Sequence, residues 1–254
     1  MSSAEDAGLR REEVGLQGGV RIDLPILARG ERWAVVHKPS GLPVHRSALV
    51  RRGPTLVGVA GRVLATRVDP VHRLDQPTSG PVLLSLDRTA TPQLQQALTQ
   101  GTKRYLALVR GAIPTREPYV EQRPLMVEEV EKSAETCLQP LASCREPRCS
   151  LVLAEPRTGR FHQIRRHLRG LSHPVLGDST HGDTRANRSF RDHGLHRLAL
   201  HCFELSFTFE GTTTTVHAPL PDDLAMWTRL PLWPEAVANL PVLRDLMVPE
   251  DDPA

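Results

Sequence analysis

Lysine is nearly absent from this chain. Lys38, Lys103 and Lys132 are the only three, so arginine supplies 29 of the 32 basic residues. Arginine's planar fork makes bidentate contacts with phosphate and carboxylate and stacks on bases. Codon bias in a GC-rich genome gives the same excess, and the net charge is only +3, so composition alone does not establish RNA binding. Cysteine is sparse. Cys137, Cys144, Cys149 and Cys202 include no CxxC pair, which argues against a zinc ribbon or a thioredoxin-like site, and thiols without a disulfide framework fit a reducing cytosol. Aromatic residues make up 4% of the chain, with Tyr105 and Tyr119 the only tyrosines. No apolar run approaches the ~18 residues of a transmembrane helix. The opening MSSAEDAGLRREEV has no apolar segment of the kind a secretory signal needs, so 1–20 reads as a flexible polar tail whose removal would be tolerated. Internal repeats and low-complexity blocks are missing, and Gly177 and Gly182 form no phosphate-binding fingerprint. The eleven histidines raise a metal site, but His162 and His167 do not share a helical face, and His193, His196 and His201 have no cysteine partner at metal-ligand spacing; no metal is expected.

What is present suffices for a globular core. The 254 residues are 39% hydrophobic and 24% charged, enough for one large or two small domains without disulfides or metal. Periodicity and breakers predict strands over 33–38, 68–74, 82–86, 103–109 and 150–154, and a hairpin of 199–209 with 212–217 around Glu210-Gly211. Helices are predicted over 55–65, 91–100, 160–171, 222–230 and 234–247. The Pro-rich and acidic stretch 114–150 reads as an irregular excursion with short strands. Strands and helices mix without βαβ alternation, which points to an α+β fold around a largely antiparallel sheet.

Chemistry concentrates in Val71-His72-Arg73-Leu74-Asp75-Gln76-Pro77-Thr78-Ser79-Gly80. In an extended chain Arg73 and Asp75 share a face, with His72 and Leu74 behind. The guanidinium favours the ionised carboxylate, and a carboxylate at the mouth of a tight turn is accessible and rigidly held, as a nucleophile or base must be. A surface ion pair before a β-turn has the same spacing.

HRLDQPTSG resembles the HRLDxxTSG motif of the RluA-type pseudouridine synthases. Three further segments resemble that family in its order: His37-Lys38-Pro39-Ser40-Gly41 with Val44-His45, Lys103-Arg104-Tyr105 with Val109-Arg110-Gly111, and Thr158–Leu168 (TGRFHQIRRHL) followed by His173–Asp178 (HPVLGD). Within the family, His173–Asp183, Arg185–Arg188, Gly194–His201 and Val44–Ser47 resemble the tRNA pseudouridine synthase C branch, which acts on the uridine at position 65 of tRNA. Residues 115–150 depart from that branch in length and composition. The resemblance implies a pseudouridine synthase catalytic domain over 21–254, without the S4-like module of many relatives, built as a mixed sheet with flanking helices and a central active-site cleft. It implies a cofactor-free, cytoplasmic and monomeric enzyme that holds RNA on the catalytic domain itself.

The implied reaction breaks a C–N glycosidic bond, turns the uracil and rejoins it through carbon, after the base leaves the helix stack. The resemblance makes Asp75 the acting carboxylate, Tyr105 the catalytic tyrosine and Arg165 a buried partner of Asp75. Whether Asp75 attacks the sugar, attacks the base or removes a sugar proton stays open. Arg73 could fill the gap left by the flipped nucleotide or grip its phosphate, and His72 joins it as an RNA-contact candidate. On the 160–171 helix, Ile164, Leu168 and Leu171 form the buried stripe. His162, Arg165, Arg166 and Arg169 form a basic one suited to a phosphate backbone, with Arg160 at its start. Alternatives are the same chemistry on ribosomal RNA, a non-catalytic RNA-binding protein on the same scaffold, and a hydrolase pairing Asp75 with His72, which strand alternation disfavours.

Overall fold

The structure is a computed structural model that describes residues 13–15, 21–46, 52–114 and 117–246. Most of the expected tail 1–20, and Ser47, lie outside the described residues. The chain gathers into two units, Met1–Thr102 with Glu204–Ala218 and Lys103–Phe203 with Pro219–Ala254.

In the first unit β1 (Glu13–Gly15) pairs with β2 (Arg21–Asp23). A four-stranded antiparallel sheet holds β3 (Ile26–Arg29), β4 (Trp33–Lys38), β5 (Asp69–Pro70) and β6 (Gly80–Ser85) in the order β3-β4-β6-β5. The apolar runs AVV and VLL occupy the two central strands because both of their faces are covered, and every residue of β6 is buried. Helix α1 (Leu56–Val63) starts where the Thr55 hydroxyl accepts the Gly58 amide, and it buries Leu56, Val59 and Ala60 at i, i+3, i+4. Helix α2 (Thr91–Gln100) has Pro92 in its first turn, buries Leu94, Ala97 and Leu98, and ends at Gly101. A Cβ on Gly101 would lie 2.0 Å from the Ser206 carbonyl, so this stop is fixed by close approach.

The second unit is an antiparallel sheet of β7 (Thr102–Arg110), β8 (Tyr119–Glu121), β11 (Thr136–Cys144) and β12 (Cys149–Pro156), in the order β8-β11-β12-β7, with a small hairpin of β9 (Leu125–Val127) and β10 (Val130–Lys132). Helix α3 (Gln163–Gly170) and helix α4 (Thr184–Arg191) follow, the latter capped by Asp183, whose carboxylate accepts the Ala186 amide. Strand β13 (Leu200–Phe209) begins in this unit and ends in the first, where it forms a hairpin with β14 (Thr212–His217). There Leu205, Phe207 and Val216 join Val35, Leu83, Leu94 and Leu98 in one cluster, with Trp33 edge-on to Phe207. Two 3-10 helices, Asp222–Arg229 and Pro241–Arg244, flank α5 (Trp233–Asn239), whose Asn239 amide donates to the Leu141 carbonyl at 2.6 Å.

The α+β class and the antiparallel pairing hold, and four expectations are corrected. The strand predicted over 68–74 stops at Pro70. The stretch 114–150 is ordered where described and contains the nine-residue β11. Pro140 hid that strand from the pattern; the ladder tolerates it because β8 pairs only with 136–138 and the register shifts at 140–142. The β9–β10 hairpin turns on Glu128-Glu129, both at positive φ (49° and 65°), a turn usually marked by Asn-Gly. The helix predicted over 160–171 starts only at Gln163, and the one predicted over 234–247 breaks at Leu240; Met247 lies outside the described residues.

Candidate active site

In the first unit the HRLD segment leaves the sheet by exchanging a side chain for backbone. Val71 still donates its amide to the Leu83 carbonyl, but the next ladder position is taken by the His72 imidazole, whose Nε2 accepts the Leu83 amide at 3.1 Å. His72 thus acts as a surrogate carbonyl, with its proton on Nδ1. Freed from the ladder, the chain turns at Asp75, where the Thr78 amide donates to the Asp75 carbonyl at 3.0 Å. Leu74 is buried, Asp75 half-buried and Arg73 exposed. Because 71–75 is not a strand, strand alternation does not set Arg73 and Asp75 on one face or turn His72 away from them.

The HKPSG segment is what holds this turn. Lys38 is fully buried, and its ammonium donates to the carbonyls of Pro39, Leu42 and Gln76 at 2.9–3.0 Å. Gly41 and Gln76 exchange two further bonds, amide to carbonyl and side chain to carbonyl, and the Ser40 hydroxyl donates to Pro77. Charge-assisted bonds to three converging carbonyls compensate a desolvated ammonium and fix both loops at once. The residue after Asp75 is therefore pinned from behind, which leaves the carboxylate little positional freedom.

In the second unit Tyr105 lies on β7 opposite Ala154 and is 8% exposed. Arg165 is buried on α3 and grips Asp178 bidentately, Nε to Oδ2 at 2.7 Å and Nη2 to Oδ1 at 2.8 Å; neither side chain is more than 3% exposed. Asp178 also accepts the amides of Thr180 and His181. Burial by itself would raise its pKa, but the guanidinium and the two amides outweigh it and hold the carboxyl below the usual carboxylate range. Gln163 satisfies the loop ahead of α3: its carbonyl accepts the Thr158 hydroxyl and the Arg160 amide, and its NH2 donates to the Glu135 carbonyl and the Thr136 hydroxyl. His162 is left in the left-handed region at φ 54°, with Phe161 stacked on its ring and its Nδ1 2.9 Å from His181 Nε2. Burial holds His181 below the usual histidine range; Asp178 opposes this, and Arg165, Arg166 and Arg169 add to it.

A family profile described as RNA pseudouridylate synthase matches residues 32–169, more than half of the chain. The chain belongs to the RNA pseudouridylate synthase family. The tRNA pseudouridine synthase C of Salmonella typhimurium is 38% identical over 78% of this chain and 86% of that protein. The namesake from Vibrio parahaemolyticus is 34% identical over 73% and 85%. Among solved structures, human RNA pseudouridylate synthase domain containing 1 aligns with a TM-score of 0.64 at 28% identity, covering 78% of this chain and 84% of that one. The family is enzymatic and acts on uridine in RNA.

In this synthase the candidate residues divide by position. Asp75, Arg73 and His72 belong to the first unit, and Tyr105, Arg160, His162, Arg165, Arg166 and Arg169 to the second. The expected basic stripe on α3 is corrected. His162 precedes the helix, Arg165 is turned inward to Asp178, and the rest donate to carbonyls: Arg160 to Ser133, Arg166 to Met126, and Arg169 to His181 and Gly182. Asp178 and Lys38 stand in the motif segments of the sequence, with no role expected of them there. A signal existed for each: a lone carboxylate after Leu176-Gly177, and one of only three lysines beside an apolar strand.

Proposed function

We propose that this synthase converts uridine 65 of tRNA to pseudouridine in the cytoplasm, acting as a monomer and without a cofactor. The reading is carried by relatives named tRNA pseudouridine synthase C that match more than two thirds of the chain. Asp75 supplies the carboxylate that acts on the uridine once the base has left the stack. The N1–C1′ bond breaks, the uracil turns, and a C5–C1′ bond forms. The C5 proton goes to the Tyr105 phenolate and on to solvent while N1 gains a proton, so atoms and electrons balance and no redox partner is required. Arg165, set rigidly by Asp178, is the third member of the catalytic set. Arg73, His72, Arg160, His162, Arg166 and Arg169 make the RNA contacts.

The test is tritium release from tRNA transcripts labelled at uridine C5, followed by mapping of the modified position. Release with pseudouridine at position 65 supports the reading. Release from another position moves the target, and modification of ribosomal RNA alone discards the tRNA assignment. In the same assay Asp75→Asn is expected to keep RNA binding and lose turnover; normal release by that variant removes Asp75 from the chemistry.

A further inference from the structure

The end of β7 opposite to Tyr105 opens on a cavity of about 950 Å³. Besides the β7 end, its walls come from three places in the second unit: the 145–148 turn between β11 and β12, the Ser172-His173 loop after α3, and α4 from its Asp183 cap to His193 just past its end. Four arginines line it, Arg110, Arg145, Arg148 and Arg185, with only Glu146 and Asp183 as acidic residues. Arg110 and Asp183 neutralise each other in a short ion pair, and Arg110 also donates to the Ser172 carbonyl. Three exposed guanidinium groups remain against one carboxylate, and among the described residues none of the three is in an ion pair or a side-chain hydrogen bond.

Exposed arginines usually lie along apolar surface or pair with carboxylates. Three unpaired guanidiniums around one concavity focus a positive field in it and leave their forks free for an anion with several oxygens. The Arg145–Arg148 turn is held at its base: the Cys144 thiol donates to the Pro147 carbonyl, and the Gly111 amide to the Arg148 carbonyl. The groups are therefore presented on rigid backbone rather than on a loose loop. Five residues of extended strand separate Arg110 from Tyr105, roughly 17 Å at ~3.4 Å per residue. A few nucleotides of RNA backbone span that distance, so an RNA whose target base reaches Tyr105 has phosphates within reach of this cavity.

We infer that the cavity is a second RNA-contact site, in which Arg145, Arg148 and Arg185 bind backbone phosphates of the same substrate several nucleotides from the target base. This rests on the RNA-modifying reading above and adds Arg145 and Arg148, which lie outside every segment of the family resemblance, together with Arg185. Phosphate contacts of this kind position the RNA without reading its sequence.

The experiment compares wild-type enzyme with Arg145→Ala/Arg148→Ala/Arg185→Ala and the corresponding triple Glu variant. A control, Arg62→Ala/Arg67→Ala/Arg244→Ala, removes the same charge elsewhere. Binding to unlabelled tRNA is measured from low to moderate salt, and thermal melting verifies folding. We expect Kd to rise at least tenfold in the Ala variant and further in the Glu variant. The slope of log K against log salt should fall by roughly 2 to 3, as the loss of three phosphate contacts at ~0.9 each requires. An unchanged slope overturns the inference, as does an equal loss in the control. If the Ala variant loses affinity for inorganic phosphate yet keeps tRNA affinity and slope, the cavity takes a free anion and the inference also falls. Wild-type tritium release reports separately on the underlying reading: turnover with an unchanged variant slope sinks the cavity alone, whereas no turnover on tRNA sinks the substrate.

Discussion

Replacing Asp178 with asparagine removes one charge and almost no volume from the most buried ion pair described. The carboxylate accepts two bonds from Arg165 and two from backbone amides. An asparagine side chain offers one oxygen and turns an NH2 toward donors, so at least one amide or guanidinium N–H loses its acceptor. Arg165, 3% exposed, keeps its charge with no carboxylate in that pair. Removing one partner of a buried pair costs about 3–5 kcal/mol, and in a protein of this size 1 kcal/mol moves Tm by about 2–4 °C. The expected fall in Tm is therefore roughly 6–20 °C. Acidity gives a second, independent signature. Because the folded carboxyl sits below its ordinary range, its stabilisation is complete above the unfolded value of about 4 and is lost as pH falls through the folded one. The gap between wild type and Asp178→Asn should hold from neutrality to about pH 5 and close below pH ~4. Melting curves across that range are the assay. A variant that melts within about 1 °C of wild type at pH 7, or a gap that widens with acid, refutes the account of Arg165 and Asp178.

Other consequences are as direct. Tyr105→Phe keeps the ring packed on β7 and should bind RNA while releasing no product; wild-type tritium release would remove the phenol from the mechanism. Gly177→Ala should cost at least ~2 kcal/mol, since residue 177 has φ 73° and a Cβ there would lie 1.8 Å from the Arg197 carbonyl; an unshifted urea midpoint contradicts this. Arg166→Ala with Arg169→Ala should weaken RNA binding and flatten its salt dependence, although both groups also tie down carbonyls; an identical slope would place that side of α3 away from phosphate.

The sequence by itself determined whatever depends on local order. The 3.6-residue spacing of Leu94, Ala97 and Leu98 before Gly101 gave α2 to the residue, and alternation around Glu210-Gly211 gave the β13–β14 hairpin. Four motifs in order gave the family. It missed elements where a local rule was overruled by a partner. Pro140 lies in β11 because the neighbouring strand ends before it, and Glu128-Glu129 turn at positive φ because β9 and β10 pair across them. The chain around Asp75 was read as a strand because nothing local reveals that His72 would replace a ladder carbonyl with its ring. Only the tertiary structure decided that Lys38, remote in sequence, ties its own loop to the Asp75 turn through the Gln76 carbonyl, and that Arg165 leaves the basic face for Asp178. Such choices follow from desolvation: a buried charge goes where oxygens converge, and convergence is a property of the folded chain.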